Sequence, residues 1–360
     1  VADRVESGRV IQEIDELLAA AGLEHGRHTT RAGASKTGTP LKRSGDGKSG
    51  AGRQPEVVRV PGWDRLPWLR AGFSTRSGGV SEVYGGRTLN LGWTREDEAA
   101  RVLENRERFA VEVAGKTAPL IGVRQIHSGL VRIVERDAEG ELRAEDRPPG
   151  TTPKSGLIGV DGRPVLRGDG VMTDVPGVLL AVGVADCVPV LVADTRRKLV
   201  AAFHAGWRGT LARIVERGIG RMRLRYGSEV KDLVAAIGPA IGPCCYAVGE
   251  ELRFEFESQF TYAAELFSEV YDSDPVREKY PMLFMTARAP GHSDIGPQIH
   301  LDLWEANRRQ LIAAGLDSEA IWVARECTAC TRMGEQLKYF SHRGESGFAG
   351  RGLGVIGRLE

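Results

Sequence analysis

The chain has 360 residues, of which 41% are hydrophobic and 27% charged, and its formal charge is only +1. Such a composition is globular rather than fibrous or disordered, and it offers no global field to attract nucleic acid or an anionic membrane. No apolar run approaches a membrane span, the opening residues lack the blocks of a secretory signal, and the five cysteines (187, 244, 245, 327 and 330) suit a reducing compartment, so a cytoplasmic location is expected.

Near the start, Ile11, Ile14, Leu17 and Leu18 recur at helical spacing, which predicts a short amphipathic helix within residues 4 to 21. From Glu24 to Glu56 the chain turns to Gly, Ser, Thr, Lys and Arg with almost no large apolar residue. Such a segment buries too little to offset the entropy of ordering, so it reads as a flexible basic linker. The expected organisation is a helix plus tail over residues 1–56 and one domain over 57–360.

In that domain, apolar β-branched runs at Val178 to Val184, Val188 to Ala193 and Leu199 to Phe203 follow each other with short polar breaks, as neighbouring buried strands do. Helical patterns occupy Glu96 to Ala114, Thr210 to Tyr226, Gly249 to Phe256 and His300 to Ala314. Interspersed helices and strands define an α/β or α+β class and exclude an all-β copper-oxidase sandwich.

The chemistry-bearing residues interrupt these apolar runs. Asp186 and Cys187 stand between two of the strands, and a buried acid there must be hydrogen-bonded or paired. In Phe203-His204-Ala205-Gly206-Trp207-Arg208-Gly209 a strand ends at His204, two glycines permit a tight turn, and a helix is expected to begin near Thr210. That turn, with Arg208 beside it, is a candidate oxyanion site. His127 ends a third apolar run, Pro119 to Val123. Two imidazoles and a thiolate suit a catalytic zinc with an open fourth position, although the three residues match no compact zinc signature. Taken singly, Cys187 reads as a small core residue and His204 as a capping or core histidine.

Read together, these segments carry a resemblance. Gln125-Ile126-His127, Gly168-Asp169-Gly170-Val171-Met172-Thr173-Asp174, Ala185-Asp186-Cys187-Val188-Pro189 and Phe203-His204-Ala205-Gly206-Trp207-Arg208-Gly209 occur in order. They are followed by Ile237-Gly238-Pro239 with Cys244-Cys245-Tyr246, and by His300-Leu301-Asp302-Leu303. From Val57 to the C-terminus the chain resembles the YfiH or laccase-domain family, also called the peptidoglycan-editing-factor family. The resemblance implies a layered α/β/β/α sandwich with mixed sheets, similar to cytotoxic-necrotizing-factor deamidases, and a metal held by His127, Cys187 and His204. It also implies purine nucleoside phosphorylase and adenosine deaminase activity, on substrates of the adenosine, inosine, guanosine and methylthioadenosine class. Ser128 stands where the family usually has Gly, and Trp93-Thr94-Arg95-Glu96-Asp97 replaces a His-Val-Gly-Asp-like string.

The mechanism expected on that basis is water, activated by the metal, attacking C6 of adenosine, with Asp186 as proton shuttle. Phosphorolysis needs phosphate at C1′ of the ribose, for which Arg208, Thr210 and Arg76 are candidates, Arg76 being as readily a surface ion pair. Two alternatives stay open: copper-dependent polyphenol oxidation, which seven histidines barely support, and a Cys187 nucleophile with His204 as base, editing peptidoglycan precursors. Cys327-x-x-Cys330 has no second CxxC to complete it, and the adjacent Cys244-Cys245 pair is constrained from reaching one ion, so these four read as structural thiols. His300 and Asp302 are read as opening and capping the last long helix.

Overall fold

The computed structural model describes residues 54–144, 157, 162–270 and 298–359, all within one compact unit. The expected N-terminal helix, the linker up to residue 53, and His25, His28 and His292 lie outside the described residues.

In chain order the body begins with β1 (Val57–Val58), β2 (Leu69–Ser74), α1 (Ala99–Ala114), β3 (Leu120–Gly122), β4 (Val131–Arg136) and β5 (Leu142–Ala144). Next come β6 (Gly170–Thr173), β7 (Val178–Val184), β8 (Val188–Asp194), β9 (Leu199–Ala205), α2 (Trp207–Leu211), α3 (Ile214–Tyr226), β10 (Leu233–Ile237), β11 (Ala247–Val248) and α4 (Glu250–Gln259). They are followed by β12 (Phe267–Val270), β13 (Gln298–Leu301), α5 (Leu303–Ala313), β14 (Ile321–Val323), β15 (Arg332–Met333), β16 (Gln336–Leu337) and β17 (Gly352–Arg358).

Two mixed sheets dominate. One runs β1-β2-β17-β7-β3 and the other β14-β10-β8-β9-β6-β4-β5. Strand periodicity sorts their side chains into layers. Val200 and Ala202 of β9, with Leu191 and Ala193 of β8, meet Phe73, Leu180, Val182 and Ile356 between the sheets. The alternate residues Leu199, Ala201, Phe203 and Ala205 face the other way, packing with Ile214, Val215, Ile219 and Met222 of α3, Phe256 of α4 and Leu303 and Leu311 of α5. On the far side of the first sheet, Leu179, Ala181 and Val355 pack with Phe109, Ala110 and Val113 of α1. The order is helix, sheet, sheet, helices, which is the α/β/β/α layering that the family resemblance implied.

The three apolar runs are strands, but they do not share one sheet. β8 and β9 are antiparallel neighbours, with Val188 opposite Ala205 and Pro189 opposite His204. β7 lies in the facing sheet, so residues 185–187 carry the chain from one sheet to the other. The expected helix Thr210 to Tyr226 is two helices, broken where Arg213 takes a φ of 56°. His300 belongs to strand β13, and the last long helix begins at Leu303, capped by Asp302, whose Oδ1 accepts the Glu305 N–H at 2.9 Å.

Gly218 of α3 lies against Phe203, and a Cβ added there would come within 2.2 Å of the ring. Helix propensity alone favours Gly218→Ala by about 1 kcal/mol, whereas forcing a methyl into the contact costs about 1–3 kcal/mol. The overpacking wins. Urea unfolding of Gly218→Ala should show net destabilisation, and a gain in stability would refute this helix–sheet contact.

Candidate metal centre

The strand register brings His204 to the candidate metal centre. Counting alternately from Val200 and Ala202, His204 stands on the side of β9 that faces the other sheet, and Asp169, two residues before Val171, stands on the same side of β6. Asp169 is fully buried, and its Oδ1 lies 3.0 Å from His204 Nδ1. The same carboxylate accepts backbone N–H bonds from Ile126 at 3.1 Å, His127 at 2.9 Å and Ser128 at 2.6 Å, and the Ser128 hydroxyl donates to it at 2.7 Å. Three successive amides curled around one anion force a sharp turn, and His127 takes a φ of 58° within it. One carboxylate therefore orients both histidines.

Cys187 arrives from the crossing between the sheets. Asp186 makes that corner with a φ of 89°, in the region where Asp is better tolerated than most side chains. The corner is held by hydrogen bonds to the Asp186 carboxylate: Thr328 Oγ1 at 2.6 Å and Ser341 Oγ at 2.7 Å on Oδ1, and the Arg343 N–H at 2.7 Å on Oδ2. Both oxygens are engaged. Gly206 closes the site from below, since a Cβ there would lie 2.8 Å from Cys187 Sγ.

The donor atoms of His127, Cys187 and His204 all lie within 4.8 Å of one another, and the two imidazoles meet edge to face with centroids 5.0 Å apart. Zn–N and Zn–S bonds of about 2.1 and 2.3 Å would put ligand atoms about 3.4–3.8 Å apart around a tetrahedral ion. Two imidazoles and a thiolate within that span can hold a metal and leave a coordination position open. His204 donating its other ring nitrogen to a buried carboxylate is the arrangement that fixes a metal-binding imidazole's tautomer.

The electrostatics agree. Burial opposes ionisation of Asp169, yet the His204 contact and the Ser128 donors outweigh it and hold the carboxyl down at about 2. Burial likewise opposes the Cys187 thiolate, but His204 and His127 bring it down to about 6. Burial disfavours imidazolium at His204, while the Cys187 thiolate and Asp169 push it up to about 9. The metal-free centre at neutral pH is thus a thiolate beside an imidazolium, and a metal must displace the His204 proton. Metal affinity followed across pH by chelator competition should therefore strengthen as pH rises toward 9 and weaken as it falls through about 6, where the thiol protonates; a flat profile would count against this centre.

The structure moves three expected residues. Thr210 does not begin the helix: α2 starts at Trp207, the Thr210 N–H donates to the Gly206 carbonyl at 2.8 Å, and its hydroxyl accepts from Asn307 Nδ2 at 3.0 Å. Wholly buried and already bonded, it has no group to offer a phosphate. Arg76 is neither a surface ion pair nor an open anion ligand. It is buried, pairs with Glu345 at 3.1 Å, donates to the Tyr84 carbonyl at 2.7 Å and lies over the Phe340 ring. Asp186 is turned toward Thr328, Ser341 and Arg343 as an anchor. Arg208 stays at the surface, its guanidinium 4.0 Å from the Trp207 ring centroid.

Asp169 and Tyr246 both lie in the motifs that carry the resemblance, and neither has a role assigned from sequence. An acid directly before the buried strand Gly170–Thr173 was the available signal for Asp169, of the same kind as the one that exposed Asp186. Burial and the Cys187 thiolate hold the Tyr246 phenol up at about 12, against the opposing Arg343 charge, so it is protonated at neutral pH. The Arg343 guanidinium lies 5.5 Å from its ring centroid.

A layered α/β/β/α fold with a His/Cys/His centre at a strand end defines the class. Residues 70–359 match the family described as multi-copper polyphenol oxidoreductase laccase, and the chain belongs to that family. It is 33% identical over 302 residues to the purine nucleoside phosphorylase YlmD of Geobacillus stearothermophilus, covering 81% of this chain and 95% of the relative. It is 30% identical over 273 residues to the adenosine deaminase RL5 of an unknown prokaryotic organism, covering 75% and 87% of the two chains. The crystal structure of the Bacillus licheniformis protein YfiH superposes with a TM-score of 0.65 at 29% identity, over 84% of this chain and 97% of that one.

Asp169→Asn keeps the size but loses the charge and replaces one acceptor oxygen with a donor. Metal affinity, measured by competition with a chromophoric chelator, should fall about 10–100-fold. Unaltered affinity would show that Asp169 does not orient the ligands.

Proposed function

We propose that this chain is a zinc-dependent purine nucleoside phosphorylase that also deaminates adenosine. The observation that carries the reading is the convergence of His127, Cys187 and His204 within 4.8 Å, with His204 oriented by buried Asp169. The relatives' names support the substrate class, and the nitrogen- and sulfur-rich donor set supports zinc. When bound, the metal supplies Lewis-acid activation of water or of a substrate oxygen.

Phosphorolysis forms a bond from a phosphate oxygen to C1′ and breaks the glycosidic bond, whose electron pair leaves on the purine. The site must hold an anion and supply a proton to the departing base. Arg208 is our candidate for the anion, because its guanidinium is exposed beside Gly206 and no described carboxylate forms an ion pair with it. Tyr246, kept protonated next to Cys187, is the candidate donor to the base. Asp186 acts as a positioning residue that holds the corner carrying Cys187. Deamination uses the same centre with water at C6, ammonia leaving in place of the base.

A second reading rests on one specific observation, the Cys187–His204–Asp169 series, which without metal resembles a thiol hydrolase triad. Chelation separates the two readings, since it abolishes nucleoside turnover but frees a thiolate nucleophile. Copper-dependent phenol oxidation has weaker support, because a multicopper centre needs more imidazoles than the two that gather here.

Incubation of metal-replete protein with inosine or adenosine should release free purine only when phosphate is present. Cys187→Ala and His204→Ala should each lose the metal of this centre and at least about 10²-fold in turnover; full turnover in either variant overturns the assignment. Arg208→Ala should raise the KM for phosphate about tenfold or more, with a smaller effect on nucleoside KM. An unchanged phosphate KM would move the anion site elsewhere.

A further inference from the structure

The four cysteines set aside as structural thiols converge. Cys244, Cys245, Cys327 and Cys330 place their sulfurs within 4.8 Å of one another, and Cys244 Sγ lies 3.6 Å from Cys330 Sγ. All four are free thiols. Adjacency of Cys244 and Cys245 does not keep them apart from a common centre, because the turn at Gly242, where the Cys245 and Tyr246 N–H groups both donate to the Gly242 carbonyl at 3.0 Å, presents both sulfurs to the facing loop. We propose that these four cysteines form a second metal site, a tetrathiolate zinc centre that shares no ligand with the His127–Cys187–His204 centre.

Geometry supports this over a chance gathering of thiols. Four sulfurs at about 2.3 Å from a tetrahedral zinc lie about 3.8 Å apart, and the Cys244–Cys330 spacing is close to that value. The set is also too tight to enclose a multi-iron cluster, whose irons and sulfides must fit between the cysteines. Two separate loops supply the ligands, one pair from each, as in closed structural zinc sites. Ala240 and Cys327 form a parallel bridge, the Thr328 N–H donates to the Ala240 carbonyl at 3.0 Å, and the Thr331 N–H donates to the Cys327 carbonyl at 2.9 Å, which turns Cys330 back toward Cys327. The Gly242 N–H donates to Cys327 Sγ at 3.3 Å, a bond that favours a sulfur carrying negative charge. Among the described residues no carboxylate or imidazole joins the group, and an all-sulfur donor set selects zinc among the common divalent ions. Cys244 and Cys330 are exposed, which gives the ion a way in.

The position of this centre suggests what it does. The same turns carry Thr328, whose hydroxyl holds Asp186, and Tyr246, whose phenol feels the charge of Cys187. His300 Nδ1 meets the Pro243 carbonyl and braces the cysteine turn from β13. A zinc ion joining the two loops would fix the wall of the candidate active site without entering its chemistry.

The test uses full-length protein purified under reducing conditions. Elemental analysis should find about two zinc ions per chain. Cys187→Ala should keep one of them, and X-ray absorption of that variant should report four sulfurs at about 2.3 Å. Cys327→Ser/Cys330→Ser should lose one zinc while the remaining ion shows a nitrogen-rich shell. Should that variant fail to fold, maleimide labelling of the Cys187→Ala protein decides, since only Cys244, Cys245, Cys327 and Cys330 remain there: four cysteines that react only after chelation support the site, and four that react before it overturn it. The proposal is overturned if Cys187→Ala carries no zinc, if its zinc has a nitrogen or oxygen shell, if iron fills the site, or if mass spectrometry finds these cysteines joined as disulfides.

Discussion

The candidate centre depends on one buried carboxylate. Asp169 has no solvent to stabilise its charge, and desolvation of that kind costs several kcal/mol unless donors replace the lost water. The replacements are the amides of residues 126 to 128, the Ser128 hydroxyl and the ring of His204. Each donor that satisfies the charge is thereby positioned by it. The turn carrying His127 and the imidazole of His204, nearly eighty residues apart in sequence, are placed by the same anion.

A second buried acid does comparable work on the other side of the site. Asp186 sits where the chain leaves one sheet for the other, and its engagement with Thr328, Ser341 and the Arg343 amide ties that crossing to two later loops. The tie continues outward, since the Ser341 N–H donates to Glu345 at 3.0 Å and Glu345 pairs with buried Arg76. Replacing a buried ion pair with apolar residues is often neutral for stability, so the Arg76–Glu345 pair is better understood as fixing where the loop goes than as holding the fold together. Cys187 inherits its position from this series.

The site thus lies at the ends of β8 and β9, bounded by loops that the surrounding framework holds rigidly. Rigid strand ends suit a centre whose ligands must sit within tenths of an ångström, while Tyr246, Arg208 and Arg343 are carried outside the strands that position the candidate ligands. Ser128, whose hydroxyl adds a further donor to Asp169, belongs to the framework that fixes those strand ends.

The apolar runs were readable as strands because burial of both faces demands near-continuous β-branched sequence, and β7, β8 and β9 fall within a residue or two of their expected limits. The candidate ligands were readable because a thiol and two imidazoles interrupt apolar strands at their ends, where burial alone gives them no reason to be, and His127, Cys187 and His204 do converge. Sequence did not reveal that β7 joins the opposite sheet, since two buried strands look alike whichever sheet they enter. Nor did it locate the start of α2, whose five residues leave no periodic trace, and so Thr210 looked available when it is enclosed. Arg76 and Asp186 looked like reactive charges because the sequence does not show the partners that neutralise or bind them. The four distant cysteines looked unconnected for the same reason. Which residue types a fold places at its strand ends is a local property of the chain, but the partner that each polar group meets is decided only when segments far apart in sequence pack together.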